Sequence, residues 1–182
     1  DLSFFGGILS VSPYYNKPSQ EGIYSHFSAI AKISPLPIIV YNVPSRTGSS
    51  VNPSTFIRLC KNNKNIYAIK ESSGDLSNAK EIINKSSSEI QVISGDDAMT
   101  LPMILAGGVG TISVLANALP KPIANLLNHV KNGNLNEAYQ LNHSLMDMIK
   151  LLFEEGNPVG IKGLMELMGI CTKKVRLPLV SA

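Results

Sequence analysis

The sequence predicts an α/β protein built on a parallel sheet, and three observations carry that expectation. Short apolar runs alternate with stretches of helical spacing from Gly6 to Ser113. The runs are continuously apolar, as strands of a parallel sheet under helices must be. Each run also ends in a reactive or special residue: Tyr15 just past the first, then Tyr41, Lys70, Gly95-Asp96 and Ser113. Five βα units fit either an open doubly wound sheet or most of a (β/α)8 (TIM) barrel. The length of 182 residues favours the open sheet. The strand-end residues favour the barrel, because barrel strands bring their C-terminal ends to one site.

The elements follow in order. Gly6 to Val11 is the first strand, closed by Pro13. Ser19-Gln20-Glu21 opens a helix whose inner face is Tyr24, Phe27, Ile30 and Ala31. Pro37 to Tyr41 is the second strand, and Asn52-Pro53 starts a helix with proline at the favoured first position. Ile66 to Lys70 is the third strand, followed by a helix from Asp75 to about Asn84. Ile90 to Ser94 is the fourth strand, with a helix over 97–105, and Gly108 to Ser113 is the fifth. After Pro120 the spacing is helical throughout, with breaks at Gly133 and Gly169. The expected division is a barrel portion over 1–118 and a helical region over 119–182.

Composition removes several function classes. Hydrophobic residues make up 44% and charged residues 16%, which fits a chain with a real core and not a disordered one. Sixteen Lys and Arg against thirteen Asp and Glu give +3, a weak field without a basic run, so nucleic acid is not an expected partner. No apolar stretch reaches membrane-spanning length, so no membrane is expected. Cys60 and Cys171 stand far apart, which reads as a reduced compartment, the cytoplasm by default. No His, Cys and carboxylate cluster has metal spacing, so no metal is expected. His26, His129 and His143 fall on predicted helices.

Lys70 is the most informative single residue. At the end of a buried strand it is desolvated, which lowers its pKa and frees the amine to attack a carbonyl and form a Schiff base. Taken alone, the commoner reading is a strand-end lysine that snorkels to solvent or pairs with Glu71. Tyr41 can relay protons or simply sit in the core with its hydroxyl on the backbone. Arg46, in the loop Asn42-Val43-Pro44-Ser45-Arg46-Thr47-Gly48, can grip a carboxylate or decorate a turn. The pair Tyr14-Tyr15 on the proline-bounded loop 13–18 suits a site or an interface equally. Gly107-Gly108-Val109-Gly110 precedes a strand and opens no helix, so a nucleotide-binding reading is weak.

Taken together these segments resemble one family. Pro13-Tyr14-Tyr15-Asn16, Tyr41 to Gly48, Ile69-Lys70-Glu71, Ser94-Gly95-Asp96-Asp97 and Gly110-Thr111-Ile112-Ser113 stand in the order and spacing of the dihydrodipicolinate synthase family. That family belongs to the pyruvate-dependent class I aldolases, which also include N-acetylneuraminate lyase. The resemblance runs from Gly6 to about Pro178. It implies a (β/α)8 barrel with a C-terminal helical region, here roughly strands four to eight, in a homotetramer built from dimers. It implies a lyase-type condensation of pyruvate with aspartate semialdehyde, on the route to diaminopimelate and lysine, which needs neither a metal nor an organic cofactor. By that resemblance Lys70 is the Schiff-base lysine and Tyr41 the proton-relaying tyrosine beside the imine. Tyr15 is the second relay tyrosine, reaching a neighbouring subunit's site. Arg46 holds the semialdehyde carboxylate, Gly95 and Ile112 line the pyruvate pocket, and Tyr14 is an interface aromatic near a possible regulatory site.

The resemblance also shows departures. The family's Gly-Thr-Thr motif, which completes the proton relay, does not occur, and neither do its first three βα units or its last helix. The expectation is therefore a partial sequence whose five strands cannot close a barrel and which has no turnover by itself. Three other readings compete: a sister aldolase acting on N-acetylneuraminate or a keto-deoxy sugar acid, a non-catalytic remnant, and an open flavodoxin-like binding sheet. Arg46 suits a second small carboxylate better than a polyol, and the open sheet gives the strand-end residues no role.

Overall fold

All five strands run parallel and follow one another across the sheet in chain order. The structure is a computed structural model that describes residues 4–87 and 89–182. Strands β1 (Ile8–Val11), β2 (Ile38–Asn42), β3 (Ile66–Glu71), β4 (Gln91–Ser94) and β5 (Gly110–Thr111) stand in the order β1-β2-β3-β4-β5. This order separates the two architectures that strand count leaves open. A doubly wound sheet reverses its strand order at a switch point, and this one never reverses. Crossovers between parallel strands are right-handed, so steps that always advance the same way place every helix on one face.

The helices of this unit are α1 (Gln20–Ile33), α2 (Pro44–Thr47), α3 (Pro53–Asn62), α4 (Leu76–Lys85) and α5 (Thr100–Leu105). Neighbours in the series α1, α3, α4 and α5 pack on each other. The core lies between them and one side of the sheet. It joins Ile23 and Phe27 of α1, Phe56 and Leu59 of α3 and Ile82 of α4 to Ile38 and Val40 of β2, Ile66 and Ile69 of β3 and Val92 of β4. Register puts the alternate residues on the other side. Val11 pairs with Tyr41, Tyr41 with Lys70, Lys70 with Ile93 and Ile93 with Gly110. On that side Leu9 is exposed, while Ile39, Tyr41, Lys70 and Ile93 are half-buried. The sheet is thus covered by helices on one face, whereas continuously apolar strands alone predict cover on both.

Element boundaries differ from expectation at three places, each for a local reason. Residues 44–47, read as loop, form the short α2, begun by Pro44 in a position where its missing N–H costs nothing. Helix α5 starts at Thr100 and not at Asp97, because the Asp96 carboxylate takes the Ala98 N–H at 2.9 Å and holds a turn there. Strand β5 spans two residues. Beyond it the Ser113 hydroxyl accepts the Ala116 N–H at 2.9 Å and turns the chain into a 3-10 segment, Leu115–Asn117.

The chain divides between Thr111 and Ile112 into two units. The division falls before the boundary at 118 expected from sequence, because the 3-10 segment packs against α6 (Pro120–Lys131) and α8 (Val159–Leu167) of the second unit. That unit is helical, with α7 (Leu135–Glu154) packed on both α6 and α8. Ile123, Leu126, Leu145, Ile149, Leu152 and Ile161 are buried. Gly160 lets α8 approach α7: a Cβ there would lie 2.8 Å from the Leu152 carbonyl carbon and collide with its oxygen. Gly133 and Gly169 follow α6 and α8 as their spacing predicts. Among the described residues no helix is long and apolar enough to cross a membrane.

Candidate active site

Lys70 and Tyr41 stand side by side at the C-terminal ends of β3 and β2, on the face away from the helices. The Lys70 Nζ lies 4.3 Å from the centroid of the Tyr41 ring. Burial lowers the lysine pKa most; the nearby Asp97 carboxylate opposes that fall and the Arg46 guanidinium adds to it. The ring face favours the ammonium form, so burial has to outweigh it for the amine to be freed. Glu71 does not pair with Lys70. It points to the helix side, where its carboxylate accepts from Asn42 Nδ2 at 2.9 Å and from the Ser73 N–H at 2.7 Å.

Gly95 completes the wall around the amine. A Cβ at this position would sit 2.6 Å from Lys70 Cε and 2.8 Å from its Cγ, and would overlap the Ser72 hydroxyl. Glycine is therefore required for the lysine stem to lie where it does. The Ser72 Oγ is itself buried and without a hydrogen-bond partner among the described residues. Gly95 is fixed through its N–H, which donates to the Glu71 carbonyl at 2.8 Å.

Arg46 lies on α2, directly after the second strand, exposed and within electrostatic reach of Lys70. Its loop is braced from the β1–α1 side. The Ser49 hydroxyl donates to the Pro13 carbonyl at 3.1 Å. Gln20, at the start of α1, donates through Nε2 to the Ser50 carbonyl at 2.8 Å. Its Oε1 accepts from the Asn52 N–H at 3.0 Å and the Thr55 hydroxyl at 2.7 Å.

Not every residue singled out in the sequence joins this cluster. Tyr14 and Tyr15 are 66% and 91% exposed, and Tyr15 has φ 69°, a left-handed conformation uncommon for an aromatic residue. Ile112 begins the second unit and is 38% exposed. The histidines lie on α1, α6 and α7. Among the described residues no group of three His, Cys, Asp or Glu is placed to hold a metal. Burial pushes the Cys60 thiol up to about 12, which leaves it protonated and unreactive. Sequence reasoning missed Gln20, Asn42 and Asp97 as contributors. The one available signal was polar residues inside or beside apolar runs, where burial demands a partner.

The pattern that defines the dihydrodipicolinate synthetase family matches residues 4–182. The chain belongs to that family. It is 49% identical over 181 residues to the 4-hydroxy-tetrahydrodipicolinate synthase of Flavobacterium psychrophilum, covering 100% of this chain and 62% of that one. The same enzyme of Karelsulcia muelleri is 46% identical over 180 residues, with 98% and 61% covered. Among solved structures, dihydrodipicolinate synthase from Aquifex aeolicus superposes with TM-score 0.95 at 39% identity, over 97% of this chain and 60% of that one. The synthase from Methylacidiphilum fumariolicum SolV gives TM-score 0.95 at 42% identity, over 97% and 59%. The chain thus spans about three fifths of the length of these relatives. The dihydrodipicolinate synthetase fold is a (β/α)8 barrel, and the unreversed five-stranded sheet is part of one.

Proposed function

We propose that this chain carries the imine-forming portion of a 4-hydroxy-tetrahydrodipicolinate synthase, which joins pyruvate to aspartate 4-semialdehyde. The observation that carries the reading is Lys70: a half-buried amine with a lowered pKa, held against the Tyr41 ring and walled by Gly95. The neutral Nζ attacks the pyruvate ketone carbon. The carbinolamine loses water to an iminium, with Tyr41 passing the proton to the departing hydroxyl. The iminium draws electrons from the adjacent methyl group, which gives up a proton and becomes an enamine carbon. That carbon bonds to the aldehyde carbon of the semialdehyde, whose oxygen takes a proton. The amine of the new chain then adds to the iminium carbon and expels Lys70, regenerating the free lysine.

Arg46 supports this substrate over a sugar acid. Its guanidinium, exposed and within electrostatic reach of the lysine, suits a second small carboxylate, gripped bidentately, better than a row of hydroxyls. The exposed pair Tyr14-Tyr15 meets a neighbouring subunit, where Tyr15 extends the proton relay, in a homotetramer working in the cytoplasm. The test is reductive trapping. Incubating the chain with pyruvate and a borohydride is expected to leave one pyruvate-derived adduct, mapped by peptide mass spectrometry to Lys70. A folded chain that acquires no adduct there, or acquires it at other lysines equally, sinks the reading.

A further inference from the structure

We infer that Glu71 and Asn42 form a buried hydrogen-bonded clamp that positions Lys70 and Tyr41 for imine formation; the inference rests on Lys70 being the reacting amine. Tyr41 pairs with Lys70 across β2 and β3, and the next pair along is Asn42 with Glu71, on the opposite face. Both are buried, at 0% and 1% exposure. Asn42 Nδ2 donates to Glu71 Oε2 at 2.9 Å, and Asn42 Oδ1 accepts from the Val51 N–H at 2.9 Å. Glu71 Oε1 accepts from the Ser73 N–H at 2.7 Å.

The orientation of each group is forced. A backbone N–H can only donate, so the Asn42 oxygen must face Val51 and its NH2 must face Glu71. Glu71 therefore meets donors on both oxygens; burial pushes its carboxyl up, and the hydrogen bonds from Asn42 and Ser73 oppose that rise. Neither ion pair found among the described residues, Arg58–Glu21 or Lys85–Glu81, involves it. A buried carboxyl held by neutral donors is a costly device when the ladder already joins β2 to β3. What it adds is reach. Through Val51 it holds the loop that carries Arg46, and through Ser73 it holds the turn that follows Lys70. Both segments leave the two strand ends that bear the amine and the phenol, so the clamp ties both strands together directly behind the reacting pair.

The test compares the chain with Glu71→Gln, Asn42→Asp and the double variant, by initial rate of pyruvate trapping at Lys70. Glu71→Gln sets an NH2 group against a donor, and Asn42→Asp sets two carboxylates together. In the double variant the carboxylate now at position 42 accepts from the Val51 N–H and from the amide now at position 71. The oxygen of that amide accepts from the Ser73 N–H, so every hydrogen bond returns with the charge moved. Each single change is expected to slow trapping about tenfold or more. The double variant is expected to recover to within about threefold of the parent chain. A purely structural role would move the urea midpoint and leave the native trapping rate unchanged. Folded single variants that trap at the parental rate overturn the clamp. So does a double variant that stays as slow as the slower single, or fails to fold. If the parent chain itself traps no pyruvate, the proposed function falls, and acetylation of Lys70 by acetic anhydride judges the clamp instead. Equal acetylation rates in parent and single variants then overturn it, and slowed rates restored in the double sustain it.

Discussion

A primary amine attacks a carbonyl only after shedding its proton, and the surroundings of Lys70 favour the shed form. Burial is the main cause, with Arg46 assisting and Asp97 resisting. The same surroundings make the lysine a burden on the fold. In the unfolded chain it binds a proton up to its ordinary value of 10.5, while in the folded chain it releases that proton earlier. Between the lowered value and 10.5 the unfolded state therefore holds more protons, and stability rises with pH across that window. Lys70→Met is expected to raise the urea midpoint near pH 7, with the gap from the parent chain narrowing as pH approaches 10.5. Packing differences between the two side chains do not titrate, so the narrowing is the readout. A gap that stays constant or widens would refute burial as the dominant influence. At this scale the sequence singles out Lys70 and Tyr41 as polar groups near the ends of buried strands, and Arg46 and Gly95 in the segments just after β2 and β4. It offers Glu71 only as a partner for Lys70 and Asn42 only as the start of a loop, whereas the two bond each other. Nothing in a linear pattern says that two polar residues from different strands will meet on the hidden face.

Elements were legible where their ends carry chemistry. Ser19 caps α1 by accepting the Gly22 N–H at 3.2 Å, and Pro53 opens α3. Reading weakened where side chains take over backbone partners, as Asp96 does before α5 and Ser113 does after β5. Gln20 is a further case: in sequence it is an ordinary residue in the first turn of a helix. In the structure its amide bridges α1 to Ser50 and Asn52, ahead of α3, and to Thr55 in the first turn of α3, in the segment that follows the Arg46-bearing α2. Gln20→Ala leaves the Asn52 N–H and the Ser50 carbonyl without this partner, and is expected to cost about 2 kcal/mol in urea unfolding. Gln20→Glu keeps the two acceptor bonds and loses the donor, so it is expected to fall between. Equal stability of Gln20→Ala and the parent chain would show that water replaces the bridge fully.

The whole-molecule question, barrel or open sheet, turns on strand order, which no local pattern encodes. Convergent strand-end residues pointed to the barrel, and the unreversed order β1 to β5 agrees. The order also has a physical consequence. Among the described residues β1 and β5 are the sheet's outer strands, each with one side unpaired, and Leu9 on β1 is 45% exposed. Unpaired parallel edges with apolar side chains recruit other strands. The isolated chain is therefore expected to self-associate as its concentration rises, by analytical ultracentrifugation, and to show no turnover with pyruvate and aspartate semialdehyde. Leu9→Lys places a charge on the edge and is expected to reduce association strongly, and Tyr15→Ala, which removes the aromatic contact proposed for the neighbouring subunit, is expected to reduce it as well. If Tyr15→Ala disperses the chain and Leu9→Lys does not, association runs through the aromatic loop, and the exposed, left-handed Tyr15 is the contact that a second copy covers. Turnover by a chain that stays monomeric at every concentration would show that five strands suffice for catalysis and that the open edges carry no cost.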